Sequence, residues 1–203
     1  MLITTILILL VAMTVHEVSH GFVAFWLGDD TAKRAGRLTL NPLRHIDPFW
    51  TVLFPALLYF TTGGRFMIGM AKPVPVNFLK LRNPRRDTIC VALAGPLVNI
   101  AMAVVLAWLY GATHHVVWLY GVYLNLGLGV FNLIPIPPLD GSRVLAGLFP
   151  AQWARAYFKV ERFGFLLIIL FDITGLLMPF VKIGIDVFCR LLQVPTLTQW
   201  LHS

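Results

Sequence analysis

Charge is what this chain has least of. Only 12% of its 203 residues are Asp, Glu, Lys or Arg, against 58% hydrophobic, and mean hydropathy is +0.80. That leaves too little polar surface to coat a water-soluble globule, so an integral membrane protein is expected. Acidic residues are the scarcer sign of charge, nine against sixteen Lys and Arg. The basic excess lies in loops between apolar runs, which fits membrane orientation better than nucleic-acid binding. There are only two cysteines, Cys90 and Cys189, both in apolar segments and without C-x-x-C spacing. No disulfide framework is expected, and both read as buried free thiols. The N-terminus lacks a basic n-region and a small-residue cleavage site, so its apolar run is expected to remain as a span. Without repeats, low-complexity tracts or a long polar stretch, residues 1–203 read as a single membrane domain.

Against that apolar background one group of polar residues stands out. Residues 2–13 carry no charge and residues 22–27 resume the apolar run, long enough together to cross a bilayer. Between them lies Val15-His16-Glu17-Val18-Ser19-His20-Gly21. An ionisable side chain at that depth costs roughly 2.5–3.5 kcal/mol on insertion scales, so three together require a compensating partner. On a helix, His16 and His20 lie one turn apart on the same face, and Glu17 sits about 60° round from His20. Two imidazoles so placed can bind one Zn²⁺, with the carboxylate of Glu17 able to reach a water on the metal without being a ligand. The alternative, a chance H-E-x-x-H with both histidines satisfied elsewhere, is disfavoured where unpaired polar groups are penalised.

Beyond the first span, residues 31–47 are polar and basic, and the alternation at Arg37-Leu38-Thr39-Leu40 before Asn41-Pro42 predicts a short strand or hairpin. It would be either a solvated loop or a strand edge able to hold an extended peptide. Residues 48–62 are apolar but short and carry Pro55, so a re-entrant helix is expected. Residues 29–87 then stay on one side with ten Lys and Arg, while residues 111–116 have none. That contrast predicts a cytoplasmic 29–87 and an external N-terminus. Residues 70–77, with Pro73 and Pro75, should be extended. A span over about 88–112 contains Ala94-Gly95-Pro96 and Asn99, a pattern suited to close helix packing.

A further span, about 116–133, runs into Pro135-Ile136-Pro137-Pro138-Leu139-Asp140-Gly141. Prolines that break a helix at membrane depth need protein or a wet cavity around the backbone. Asp140 is either the N-cap of a short helix 141–149 or the third metal ligand, and the second role gives the histidine pair the partner it needs. Two last apolar pieces, 163–178 and 180–193, are separated by Pro179, with Asp172 and Asp186 read as structural or interfacial, or else as part of substrate access or gating, and Lys182 as a candidate partner. The fold class expected is all-α and polytopic, with five to six transmembrane or re-entrant helices and a short membrane-associated β-hairpin.

The set His16-Glu17-Val18-Ser19-His20, Ala94-Gly95-Pro96, and Asn132-Leu133-Ile134-Pro135 leading to Leu139-Asp140-Gly141 resembles the site-2 protease family of intramembrane zinc metalloproteases. Gly36-Arg37-Leu38-Thr39-Leu40-Asn41-Pro42 and His45-Ile46-Asp47-Pro48 look like its compact prokaryotic branch. The resemblance implies one zinc held by His16, His20 and Asp140, Glu17 as general base, and Asn132 holding the substrate or the developing oxyanion. It implies cleavage of a transmembrane protein substrate within the bilayer of a prokaryotic cell membrane, nearer its cytoplasmic face, as part of regulated intramembrane proteolysis. No PDZ-like insertion lies between the spans and no nucleotide-sensing domain follows Ser203, so an accessory protein or prior trimming is the expected route of substrate recruitment. The competing class is a non-proteolytic zinc-binding or transport protein of the membrane, or an inactive relative that binds helices; neither needs a base at Glu17.

Overall fold

The computed structural model describes residues 2–61, 63 and 71–201. Ten α-helices follow one another among them: α1 (Leu2–Trp26), α2 (Thr31–Arg34), α3 (Phe54–Thr61), α4 (Pro84–Thr113), α5 (Val116–Asn132), α6 (Asp140–Leu148), α7 (Ala151–Phe158), α8 (Gly164–Ile173), α9 (Leu177–Leu191) and α10 (Leu197–Leu201). Of these, α1 over Ile3–Trp26 and α4 are long and apolar enough to cross a membrane. Helix α5, at 17 residues, is a shorter apolar helix, and α8 and α9 form a broken pair bent by 81°. The short 48–62 run is helical from Pro48 to Thr61, a π-helical turn leading into α3. Fourteen helical residues reach about 21 Å, short of the ~30 Å hydrocarbon core.

Helices α1, α4 and α5 pack mutually, with α6 against α4 and α9 against α5. The main core joins Ala103 and Ala107 of α4, Leu119, Val122 and Leu126 of α5, and Val181, Ile185 and Cys189 of α9. Large apolar side chains point outward instead, including Ile3, Trp108, Leu166 and Ile183. So much large apolar surface on the outside suits contact with lipid rather than water. Asn99 and Asn125 lie in that interior, each with no exposed surface.

The expected β-hairpin is absent. Among the described residues there is no strand; residues 31–47 form α2, an irregular stretch and a 3₁₀ turn at Pro42–Arg44. Residues 37–40, where the alternation falls, have no regular secondary structure, and side chains take the place of a partner strand. His45 Nε2–H donates to Thr39 O at 2.9 Å, and Asn41 Oδ1 accepts from Leu43 N–H to start the turn. The 70–77 piece is extended from Ala71 on, as two prolines require, while Met70 lies outside the described residues. Buried Asp29 ties this piece to α2, its carboxylate accepting from Thr31 N–H at 3.0 Å and Asn77 N–H at 2.6 Å. Nearby on the surface, a hydrogen bond from Lys80 and the charge of Arg34 hold the Asp30 carboxyl below its ordinary range.

Three further expectations change. The α8–α9 break falls at Gly175, in the left-handed region at φ +71°, whereas Pro179 is the third residue of α9, where its missing N–H has no intrahelical acceptor to lose. Cys189 is buried, but Cys90 is exposed; both are free. Among the described residues no ion pair joins Lys182 to Asp172 or Asp186. Asp186 instead accepts from Leu197 N–H at 2.9 Å and from the Thr198 hydroxyl at 2.5 Å, stapling α10 onto α9.

Candidate metal centre

Helical spacing puts His16 and His20 on the inner face of α1, both buried, with their rings in an edge-on contact. The third group arrives from the far end of the proline-broken loop. Asp140 is the first residue of α6 rather than its N-cap, which is Leu139, and its carboxylate makes no capping hydrogen bond. Gly141 holds that turn tightly against Leu133, since a Cβ there would lie 2.1 Å from the Leu133 carbonyl oxygen. The loop itself is pinned by Tyr157, whose hydroxyl donates to Pro135 O.

The result is a triangle of donor atoms. His16 Nε2 lies 3.1 Å from Asp140 Oδ2, His20 Nε2 lies 3.2 Å from the same oxygen, and the two Nε2 atoms are 3.1 Å apart. Tetrahedral zinc with bonds of about 2.0–2.1 Å sets its ligand atoms about 3.3 Å apart, so the triangle has the right size.

The rest of each imidazole decides what faces inward. Asn125 Nδ2 donates to Gly121 O, an atom that can only accept, so Asn125 Oδ1 faces Asn99. Asn99 Nδ2 then donates to Asn125 Oδ1 at 3.0 Å and to Ala12 O at 3.3 Å, which turns Asn99 Oδ1 towards His16 Nδ1, 2.5 Å away. His16 therefore carries its proton on Nδ1. His20 does the same, because its Nδ1 faces Val91 O at 2.7 Å. In the neutral rings, both Nε2 lone pairs and a carboxylate oxygen converge with no proton between them, an arrangement that calls for a cation. Gly95 of α4 makes room for it, since a Cβ there would sit 2.4 Å from His20 Nε2 and 2.6 Å from His16 Nε2.

The donor triangle opens into a cleft of about 520 Å³ lined by Glu17, Asn132, Val74, Phe78, Leu128 and Pro138, among others. Glu17 stays outside the triangle, and its Oε2 accepts from Val74 N–H at 2.8 Å. Asn132 lines the same cleft at the end of α5, with one amide N–H donating to Leu128 O at 2.9 Å. The five residues singled out from the sequence thus meet in one place. What sequence reasoning missed is the surrounding support. Asn99 and Gly95 read as helix-packing residues, and only the cost of an Asn at membrane depth hinted that its amide had a specific target.

Comparison with known proteins agrees with the geometry. The family model for Peptidase family M50 matches residues 4–115 and 110–171. The Bacillus subtilis protein named "Putative zinc metalloprotease YwhC" is 36% identical over 204 residues, covering 92% of this chain and 89% of its own. The Mycolicibacterium smegmatis protein named "Putative zinc metalloprotease Rip2" is 32% identical over 173 residues, covering 81% of this chain and 64% of its own. No solved structure gives a significant match. With most of its length matched and its donor set fitted to the metal, the chain belongs to peptidase family M50, the site-2 protease family of membrane-embedded zinc metalloproteases.

Proposed function

We propose that the chain hydrolyses a peptide bond inside a transmembrane segment of another protein, with His16, His20 and Asp140 holding zinc, Glu17 as general base and Asn132 as oxyanion donor. The observation that carries this reading is the triangle of three proton-free donor atoms opening into the cleft that Glu17 lines. Bound there, zinc supplies Lewis acidity, lowering the pKa of a water towards about 7 and polarising the scissile carbonyl.

The chain's own residues supply the rest. Glu17 accepts the proton of the attacking water and returns it to the leaving amine, a role worth roughly 10²–10⁴ in rate. Asn132 spends one amide N–H on its own helix and has a second for the oxyanion. A helical substrate hides its carbonyls in internal hydrogen bonds, so it must unwind locally before attack. Residues 71–77, of which Ala71, Pro73, Val74 and Val76 line the cleft, and residues 37–41, tied to them through Arg37, are the candidates to hold an unwound chain.

His20 lies about 9 Å from the last residue of α1 and about 27 Å from its first, which supports a cut nearer the side of residues 29–87. The Lys and Arg of that stretch support a cytoplasmic side for it, with the N-terminus outside. Regulated intramembrane proteolysis is the setting this chemistry suits, with recruitment left to an accessory protein or to prior trimming of the substrate.

The deciding experiment measures zinc per chain and cleavage of a model transmembrane substrate for the purified wild type, Glu17→Gln and Asp140→Asn. Expected are a zinc-loaded but inactive Glu17→Gln and an inactive Asp140→Asn that holds zinc weakly. Cleavage by Glu17→Gln at the wild-type rate removes the proposed base, and zinc binding without any cleavage favours the non-proteolytic reading.

A further inference from the structure

Glu17 can serve as a base only if its carboxylate is held in one orientation, and the contact that holds it comes from a segment with unusual chemistry. Of Pro73-Val74-Pro75, only Val74 owns a backbone N–H, and that single donor is spent on Glu17 Oε2 at 2.8 Å. Residues ahead of a proline are driven to extended backbone, so Lys72 and Val74 cannot fold this N–H into a helix of their own. The segment is therefore a strap across the cleft.

What fixes the strap is Arg37. Its side chain is buried, 9% exposed, and Nη2 donates to Lys72 O at 2.7 Å and reaches Pro73 O at 3.5 Å. No carboxylate among the described residues pairs with this guanidinium. A buried cation on two successive carbonyls is a costly way to close a loop, and those carbonyls are the ones directly before the Val74 N–H. Lys72 N–H donating to His45 O at 2.8 Å and Asn77 N–H donating to Asp29 at 2.6 Å fasten the two ends. Gly21, one residue after His20, lets the Val74 side chain lie directly on α1, since a Cβ there would be 2.8 Å from Val74 Cγ1.

We infer that Arg37 is a positioning residue for the reaction: it clamps the strap so that the Val74 N–H pins one oxygen of Glu17 and leaves the other to take the proton. The inference rests on Glu17 being the base. It makes the strap part of the machinery even without substrate. Misplacing a reacting group by about 1 Å can cost on the order of 10²-fold in rate, so a slack strap should tell on turnover.

The test uses the zinc-loaded full chain in detergent, comparing wild type with Arg37→Gln, Arg37→Lys, Val74→Ala and Val74→Pro. Arg37→Gln is expected to lower kcat about 10- to 100-fold, with KM and zinc content unchanged. Arg37→Lys, which keeps a cationic donor, should recover part of the loss. Val74→Ala keeps the N–H and should lose less turnover than Val74→Pro, which removes it and should behave like Arg37→Gln. Hydrogen exchange of the Val74 amide reads the bond itself, with protection expected in the wild type and lost in Glu17→Ala and Arg37→Gln. An amide that stays protected in those variants overturns the clamp whatever the cleavage assay shows. Equal losses of zinc, KM and thermal stability in Arg37→Gln overturn it too, leaving Arg37 a structural residue. A wild type that protects the amide but cleaves no transmembrane substrate would count against the protease reading and leave the clamp standing.

Discussion

Replacing Asn99 by Leu removes the acceptor that fixes the proton of His16 on Nδ1, and does so without touching a metal donor atom. Partners of this kind are typically worth 10- to 100-fold in metal affinity, or about 1.4–2.7 kcal/mol. The same change strips Asn125 Oδ1 of its donor, and a buried polar atom left unpaired costs about 1–3 kcal/mol of folding stability. The two losses separate by comparison with Asn125→Leu. There the Ala12 carbonyl still accepts from Asn99 Nδ2 at 3.3 Å, so the Asn99 amide keeps its orientation and His16 its tautomer. Asn125→Leu should therefore melt lower while losing much less than the tenfold in zinc affinity expected of a direct partner. Competition for zinc against a chromogenic chelator, run beside thermal melts, measures both quantities on the same preparations. An Asn99→Leu protein that binds zinc like the wild type refutes the tautomer argument, and equal affinity losses in both variants refute the directional chain of amides.

Two other perturbations are expected to act on separate parts of the molecule. Gly95→Ala places a methyl 2.4–2.6 Å from the facing Nε2 atoms and should abolish zinc binding, whereas Gly111→Ala on the same helix meets nothing within 4 Å and should leave metal content intact. Asp186→Ala frees the start of α10 and should cost about 1–2 kcal/mol in stability by chemical denaturation. Zinc content should be unchanged there; a loss would mean that the far side of the bundle bears on the metal.

The parts of the site legible in the sequence were those carried by local spacing. His16, Glu17 and His20 occupy one helical face, and their depth in an uncharged run left few alternatives to a metal. Asp140 was legible because two histidines need a further anionic partner and the prolines marked where backbone could leave the membrane's helices. What supports them was hidden by distance along the chain: Asn99 lies 83 residues from His16, and Val74 lies 57 from Glu17. The Arg37–Leu40 alternation looked like a strand but could not reveal that side chains rather than another strand would tie this stretch down. Pro179 was over-read as a breaker because a proline in the first turn of a helix looks, in sequence, like one that ends it.

Helix α4 touches the centre at regular intervals. Arg85 donates to Gly147 O and Leu148 O at the end of α6, the helix that Asp140 begins; Val91 O holds His20, Gly95 seats both rings and Asn99 holds His16. One rod therefore serves as the common gauge for ligands that arrive on two other helices. Its 30 residues reach about 45 Å, well beyond the ~30 Å hydrocarbon layer. A helix that long accommodates a thinner or thicker bilayer by tilting, and all four of these reference points belong to it. The register is what the centre does not tolerate losing: a single residue inserted between Val91 and Asn99 turns one anchor about 100° from the other, so that no rotation of the helix can seat both histidines at once.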